Sequence, residues 1–239
     1  MLNNNFVWTD LSTFNVERAK SFYSSVFGWD YKSTDSSYYI ARLNTEDISG
    51  LYLMPEKFQK IKLPSFWMSY IKVSNLDSAI EIANKEGGKI ELIEKENEIG
   101  KVALIRDPLG AGFTIYEGEY LDARSHSLTS SYCRSELVVS DISKVKVFYE
   151  KIFDWTFVEI SKTQHKIYNS PTSFIADIIE VPNSIKGKDE YWGVYFFSSY
   201  LQQSKQQVIN NGGSIIFESK RAIICNDPFG AAFNITDQL

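Results

Sequence analysis

The sequence predicts an α+β protein of four strand–helix–strand–strand–strand (βαβββ) modules with curved mixed sheets, and three observations carry that prediction. AKSFYSSVFGWDY, from Ala19 to Tyr31, returns as VKVFYEKIFDWTF, from Val145 to Phe157. RDPLGAGFTIYE, from Arg106 to Glu117, returns as NDPFGAAFNITD, from Asn226 to Asp237. Between these markers EGGKIELI (Glu86 to Ile93) matches NGGSIIFE (Asn211 to Glu218), and Trp67 matches Trp192. Repeated markers in one order are the signature of a duplication. The expected division is a first domain over residues 1–118, a polar, Ser-rich link over 119–132, and a second domain over 133–239.

Each half divides again. Phe6 to Leu11 reads as a strand, and Val16 to Phe27 as a helix. The helix carries Val16, Ala19, Phe22, Tyr23, Val26 and Phe27 at the three- and four-residue spacing of a buried stripe. Asn15 is its candidate N-cap. Strands follow from Trp29, from Tyr38 and from Ile48 to Met54, parted by Ser, Thr and Asp turns, and Pro55 closes the module. The second module opens with the strand Trp67 to Val73. Its helix presents Leu76, Ala79, Ile80 and Ala83 and stops at Gly87-Gly88. Strands near Lys89 to Ile93, Lys101 to Arg106 and Phe113 to Glu117 complete it. The second half repeats the pattern. Its last helix, around Leu201 to Ile209, has the faintest stripe because glutamines interrupt it. Each module has a curved sheet with a helix on one face, so the opposite, concave face must meet a ligand or other side chains.

Composition narrows the function. At 44% hydrophobic residues the chain has ample core, and 15% aromatics can line pockets as well as fill them. A formal charge of −5 without a basic run speaks against nucleic acid. No apolar run is long enough for a membrane span. MLNNNFVW lacks the basic and apolar regions of a secretory signal. Cys133 and Cys225 are the two cysteines, with no disulfide framework or metal knuckle, which points to buried thiols and a reducing, cytoplasmic setting. Trp29 and Trp155 read as core. Asp107-Pro108 and Asp227-Pro228, with Gly110 and Gly230, read as turns before the last strands. No phosphate loop, CxxC pair or G-x-S-x-G elbow is present.

The strand followed by AKSFYSSVFGW, the GG after the second helix, and the closing DPLGAGFTIYE resemble the vicinal oxygen chelate superfamily of glyoxalases, bleomycin-resistance proteins and extradiol dioxygenases, in a tandem two-domain form. The resemblance runs through both halves. It implies a divalent metal held by His and Glu or Gln from the first and last strands of paired modules. Aligned on the FY and DP markers, the first-strand ligand position falls on Trp8 and Arg134, and the last-strand position on Thr114 and Asn234. The strand opening the second module offers Met68, and its counterpart is Gly193. None is a usual ligand of that family. His126 lies in the link and His165 near a predicted turn. The expected cofactor is therefore none.

Asp10 and Glu136 remain as the candidate acids. Two residues beyond Trp8 and Arg134, they share those residues' strand face. Either could act as a base or hold a ligand amine or hydroxyl; either could instead hydrogen-bond a turn or helix end. Trp8, Tyr70 and Tyr116 form a candidate aromatic wall. The second half is more polar at equivalent places, with Arg134, Glu136, Glu180 and Asn234. Arg134 pairs with Glu136 on one reading and binds an anionic ligand on another. The expected function is a small-molecule-binding protein of glyoxalase or bleomycin-resistance type without the family metal. The alternatives are a lyase or dioxygenase-type enzyme, and an interaction module whose clefts are filled by its own side chains. Exposed sheet edges make a homodimer the expected assembly, if any.

Overall fold

The computed structural model describes residues 4–34, 37–60, 62–95, 99–121 and 128–239. Module 1 runs β1 (Phe6–Thr13), α1 (Val16–Phe27), β2 (Asp30–Ser33), β3 (Tyr38–Leu43), β4 (Glu46–Leu53) and a one-turn helix α2 (Glu56–Lys60). Module 2 runs β5 (Phe66–Lys72), α3 (Leu76–Lys85), β6 (Lys89–Glu94), β7 (Lys101–Arg106) and β8 (Gly112–Glu117). Module 3 runs β9 (Tyr132–Val139), α4 (Ser143–Phe153), β10 (Thr156–Ser161), β11 (Gln164–Ser170), β12 (Ser173–Glu180) and a short α5 (Asn183–Lys186). Module 4 runs β13 (Tyr191–Phe197), α6 (Leu201–Asn210), β14 (Ser214–Glu218), β15 (Ala222–Asn226) and β16 (Ala232–Thr236). The βαβββ pattern thus stands four times, and the short α2 and α5 are additions that strand and stripe patterns do not announce.

The strands form two eight-stranded mixed sheets, ordered β2-β3-β4-β1-β5-β8-β7-β6 and β10-β11-β12-β9-β13-β16-β15-β14. Within each module the first and last strands are parallel and the hairpins antiparallel, as in β1 with β4 and β3 with β4. The outer strands β6, β10 and β14 carry register shifts, and the outer β2 has four residues. Bulged or short outer strands resist further strand addition.

The helices form for the reasons their sequences suggest. In α1 the Asn15 side chain accepts a hydrogen bond from the Arg18 N–H at 3.2 Å, satisfying one orphan donor of the first turn. Gly28 ends the helix at φ +75°, in the left-handed conformation that glycine tolerates. Ala19, Phe22, Tyr23, Val26 and Phe27 are buried. In α6 only Leu201, Ser204 and Val208 are buried, and no side chain caps its start.

Packing divides the chain into two compact units, each taking modules from both halves of the duplication. One comprises Met1–Val7, Ser69–Ala123 and Ser135–Gly193, essentially modules 2 and 3; the other comprises Trp8–Met68, Arg124–Arg134 and Val194–Leu239, essentially modules 1 and 4.

In the unit of modules 1 and 4, the Tyr23 hydroxyl donates to Asp227 Oδ2 at 3.2 Å and accepts from Trp67 Nε1 at 3.0 Å. Asp227 Oδ1 accepts from the N–H groups of Phe229 and Ala231. Stacked rings of Tyr23, Phe27 and Trp29, with Phe196 and Phe233 edge-on, surround this pair.

In the unit of modules 2 and 3 the same device recurs. The Tyr149 hydroxyl donates to Asp107 Oδ2 at 3.0 Å and accepts from Trp192 Nε1 at 2.9 Å. Asp107 Oδ1 accepts from the N–H groups of Leu109, Gly110 and Ala111. Burial raises both carboxyls above their ordinary value of 3.8, against the pull of these donors. The FY and DP markers are therefore two ends of one buried contact. Trp29 and Trp155 are core, their indoles donating to the carbonyls of Ser130 and Asn4.

Candidate functional site

The sheet face that meets α1 is set by Lys20, whose ammonium sits 4.0 Å from the centre of the Tyr39 ring. Tyr39 is in register with Leu51, and Leu51 with Leu11. By strand alternation Trp8, Asp10 and Ser12 on β1 face away from the helix, as the sequence expectation for Trp8 and Asp10 requires. There they form a buried cluster. Trp8 and Asp10 are each 2% exposed. The Trp8 indole N–H donates to Asp10 Oδ1 at 2.7 Å, and the Tyr38 hydroxyl donates to the same oxygen at 2.8 Å. Gly50, the register partner of Asp10, makes this possible, because a Cβ there would lie 2.0 Å from both Asp10 Oδ1 and the Tyr38 hydroxyl. Tyr52, in register with Ser12 and with Tyr38, completes the cluster. Its phenol is pushed up to about 12, chiefly by burial; the Ser12 hydroxyl opposes the shift and the Asp10 charge adds to it.

In the same unit Arg134 lies with its guanidinium 4.3 Å from the centre of the Tyr195 ring, a cation–π contact. Tyr195 is in register with Asn234, whose amide donates to the Val194 carbonyl at 3.1 Å. The neighbouring Cys133 thiol donates to the Tyr195 carbonyl. Burial pushes both the Cys133 and Cys225 thiols up to about 12, so neither is a thiolate nucleophile at neutral pH.

In the unit of modules 2 and 3, Tyr70 pairs in register with Thr114 and Lys72 with Tyr116. Phe113 packs against Tyr149 on the helix side, which puts Thr114 and Tyr116 on the other face. Tyr116 is fully buried and its hydroxyl serves the backbone, donating to the Ile99 carbonyl at 2.7 Å and accepting from the Tyr120 N–H at 3.0 Å. Lys72 is nearly buried and pairs with Glu119 at 3.5 Å. Glu136 is half-buried, in register with the buried Asp177, and Asp177 with Lys166. Tyr191 is raised above its ordinary value by burial first and by the Glu136 charge second. Glu180 has a structural task, its carboxylate accepting from the Ile142 N–H where α4 begins. His165 lies near the start of β11, paired with Ile178 and just past the turn at Lys162-Thr163; His126 lies outside the described residues.

Strand alternation thus puts Trp8 with Asp10, and Thr114 with Tyr116, on one face of each strand, as the sequence reading has it. That reading did not name Ser12, Tyr38, Gly50, Tyr52, Asp177 or Lys166. Two signals were present in the sequence: Ser12 follows Asp10 at the strand period, and a lone glycine inside a strand marks a close approach.

A divalent metal needs imidazole, carboxylate or carbonyl donors converging on one point. The Trp8 indole N–H is itself a donor and is spent on Asp10. A guanidinium at Arg134 repels a cation, and the Asn234 amide points its NH2 at a carbonyl. Among the described residues no group of three or more His, Cys, Asp or Glu could hold a metal ion. Trp8, Arg134 and Asn234, which the resemblance aligns with the family's ligand positions, do not present such converging donors.

Four βαβββ modules in two mixed sheets define the class of folds shared by glyoxalases and ring-cleaving dioxygenases. Residues 5–115 match the model of the Glyoxalase/Bleomycin resistance protein/Dioxygenase superfamily. The Mn(II)-bound glyoxalase from Novosphingobium aromaticivorans has the same fold, with a TM-score of 0.68 at 11% identity over 98% of this chain and 82% of that one. CFP32 of Mycobacterium bovis, named as a candidate glyoxylase, is 25% identical over 95% of this chain and 92% of its own. The anthracycline biosynthesis protein DauV of Streptomyces sp. is 23% identical over 96% of this chain and 92% of its own.

Proposed function

We propose that the protein binds a small organic molecule without the metal on which other glyoxalase-fold proteins, such as the Mn(II)-bound glyoxalase, are built. The observation that carries this reading is the Trp8–Asp10–Tyr38 cluster. The first-strand metal position holds an indole, and the nearest carboxylate is engaged by indole and phenol donors. A carboxylate held in aromatic surroundings suits recognition of a ligand's polar groups. In this reading Asp10, Arg134 and Asn234 are the further candidate binding residues of the unit of modules 1 and 4, and Tyr70, Thr114 and Glu136 those of the unit of modules 2 and 3, with Asp10 and Glu136 as the candidate acid of each. Similarity to DauV supports an organic ligand, since that protein's name places it in the biosynthesis of one.

Two measurements test the reading. Metal analysis of the purified protein is expected to find no stoichiometric Zn, Ni, Mn or Fe, and a stoichiometric metal would overturn the metal-free part. A thermal-shift screen of small organic compounds is expected to yield at least one that raises the melting temperature, because a ligand of the native state must stabilise it. A screen that raises nothing would remove the binding part.

A further inference from the structure

Each compact unit gathers three readily oxidised side chains, one tyrosine and two tryptophans, beside a buried carboxylate. In the unit of modules 1 and 4 the Tyr23 ring lies 5.3 Å from that of Trp67 and 5.6 Å from that of Trp29, centre to centre, with the two indoles 6.2 Å apart. In the unit of modules 2 and 3 the matching separations are 5.6 Å for Tyr149 and Trp192, 5.7 Å for Tyr149 and Trp155, and 6.1 Å between the indoles. Rings so placed touch, and an electron passes readily between them. Both tyrosines are wholly enclosed, whereas Trp67 keeps 7% and Trp192 4% of its surface in solvent. An oxidant arriving from water meets an indole before it meets the phenol.

The hydrogen bonds fix where the phenolic proton points. An indole N–H can only donate, so Trp67 uses an acceptor site of the Tyr23 hydroxyl and leaves that hydroxyl's own proton to Asp227 Oδ2. Trp192, Tyr149 and Asp107 repeat this direction. Each carboxylate receives donors on both oxygens, the pattern of an ionised group. Burial holds both phenols protonated and makes both carboxylates stronger bases than they are in water. A base within hydrogen-bond reach of the proton it must take is the geometry of proton transfer.

We propose that each cluster traps diffusible one-electron oxidants such as peroxyl and carbonate radicals. The oxidant takes one electron from the indole and is reduced. The indole radical cation then takes one electron from the tyrosine and is restored. As that electron leaves, the phenolic O–H bond breaks and its proton moves to the aspartate Oδ2. A neutral tyrosyl radical and a neutral carboxyl group then stand where phenol and carboxylate stood. The positive charge of the indole and the negative charge of the aspartate both disappear, which favours the step in a core where charges are costly to keep. This activity is independent of ligand binding on the sheet faces.

Flash photolysis of the full chain with tris(2,2′-bipyridine)ruthenium(II) and persulfate tests it, read by transient absorption and electron paramagnetic resonance. In wild type an indole radical is expected to decay into a long-lived neutral tyrosyl radical. Tyr23→Phe and Tyr149→Phe, which keep the packed ring, should each remove a large part of that signal, and the double variant nearly all of it. Asp227→Asn and Asp107→Asn should slow the transfer about tenfold or more, since the amide takes no proton. A tyrosyl signal undiminished in the double phenylalanine variant would place the radical on other tyrosines and overturn the proposal. An indole radical that decays in wild type without a tyrosyl successor would overturn it as well. So would transfer at the wild-type rate in a folded variant carrying both asparagines.

Discussion

The two compact units carry the same buried contact and opposite chemistry on the equivalent strands. Tyr23–Asp227–Trp67 and Tyr149–Asp107–Trp192 agree in partners, direction and distance to within a few tenths of an ångström. Beside them, the rows across the sheets diverge. Asp10 is flanked by Gly50 and then Ile40, whereas at the matching register Glu136 is flanked by Asp177 and then Lys166. After the duplication, positions that join helix to turn have kept their residues. Positions on the free sheet face have changed in charge, size and polarity. The glycine makes the difference concrete. Module 1 needs a bare Cα there so that the Tyr38 phenol can reach Asp10, while module 3 puts a second carboxylate in that place.

The largest expected effect tests the shared part. Asp227→Ala removes acceptors for two backbone N–H groups and the Tyr23 hydroxyl, and should cost about 3 kcal/mol in urea unfolding. Asp107→Ala should cost about the same, because its contacts are the same in kind. A cost in one unit only would break the equivalence of the two contacts. The conservative Asp227→Asn adds a pH signature. Burial raises the folded carboxyl above 3.8, so the carboxyl contributes stability that is fully present below that value and is lost as pH rises through the folded pKa. The advantage of wild type over Asp227→Asn should therefore shrink between acid and neutral pH. An advantage that grows with pH would contradict a raised carboxyl.

A smaller effect is expected at Gly50. A methyl group there must displace the Tyr38 phenol or the Asp10 carboxylate, at a cost of about 2 kcal/mol for the lost bond to a buried charge. Both are ends of side chains, so the strand itself should survive, and quenching of Trp8 fluorescence should report the rearrangement. Unchanged stability and fluorescence would mean that the Tyr38–Asp10 bond is not what requires glycine.

How much of this was legible in the sequence follows from where each property is stored. The helices were legible because their stripes and caps are local: the limits predicted for α1 are those observed, and Asn15 caps it. The FY and DP repeats were legible as markers, but their meaning was not. Tyr23 meets Asp227 across 204 residues, and nothing local says that a helix tyrosine will find a turn aspartate of another module. The candidate face was half legible. Alternation from Trp8 gives Asp10, yet Tyr38, Gly50 and Tyr52 join it through the register of neighbouring strands, which a single strand's pattern does not contain. The aromatic wall shows the same limit. Tyr116 lies on the predicted face, but Gly100 and Gly118 crowd its ring and the backbone takes its hydroxyl.

The smallest effect separates the two faces by their exposure to solvent. Each pairs an acid with a tyrosine whose pKa it helps to raise, Asp10 with Tyr52 and Glu136 with Tyr191. Asp10→Asn and Glu136→Gln should therefore each lower one tyrosine's titration, read by ultraviolet difference spectra. Salt should distinguish them. Asp10 is enclosed, so its effect on Tyr52 should persist at high ionic strength, while Tyr191 is 38% exposed and the influence of Glu136 on it should fade as counter-ions screen it. Equal salt sensitivity would mean that water reaches Asp10 as freely as Glu136. The module 1 cluster would then be an open polar surface rather than an enclosed one.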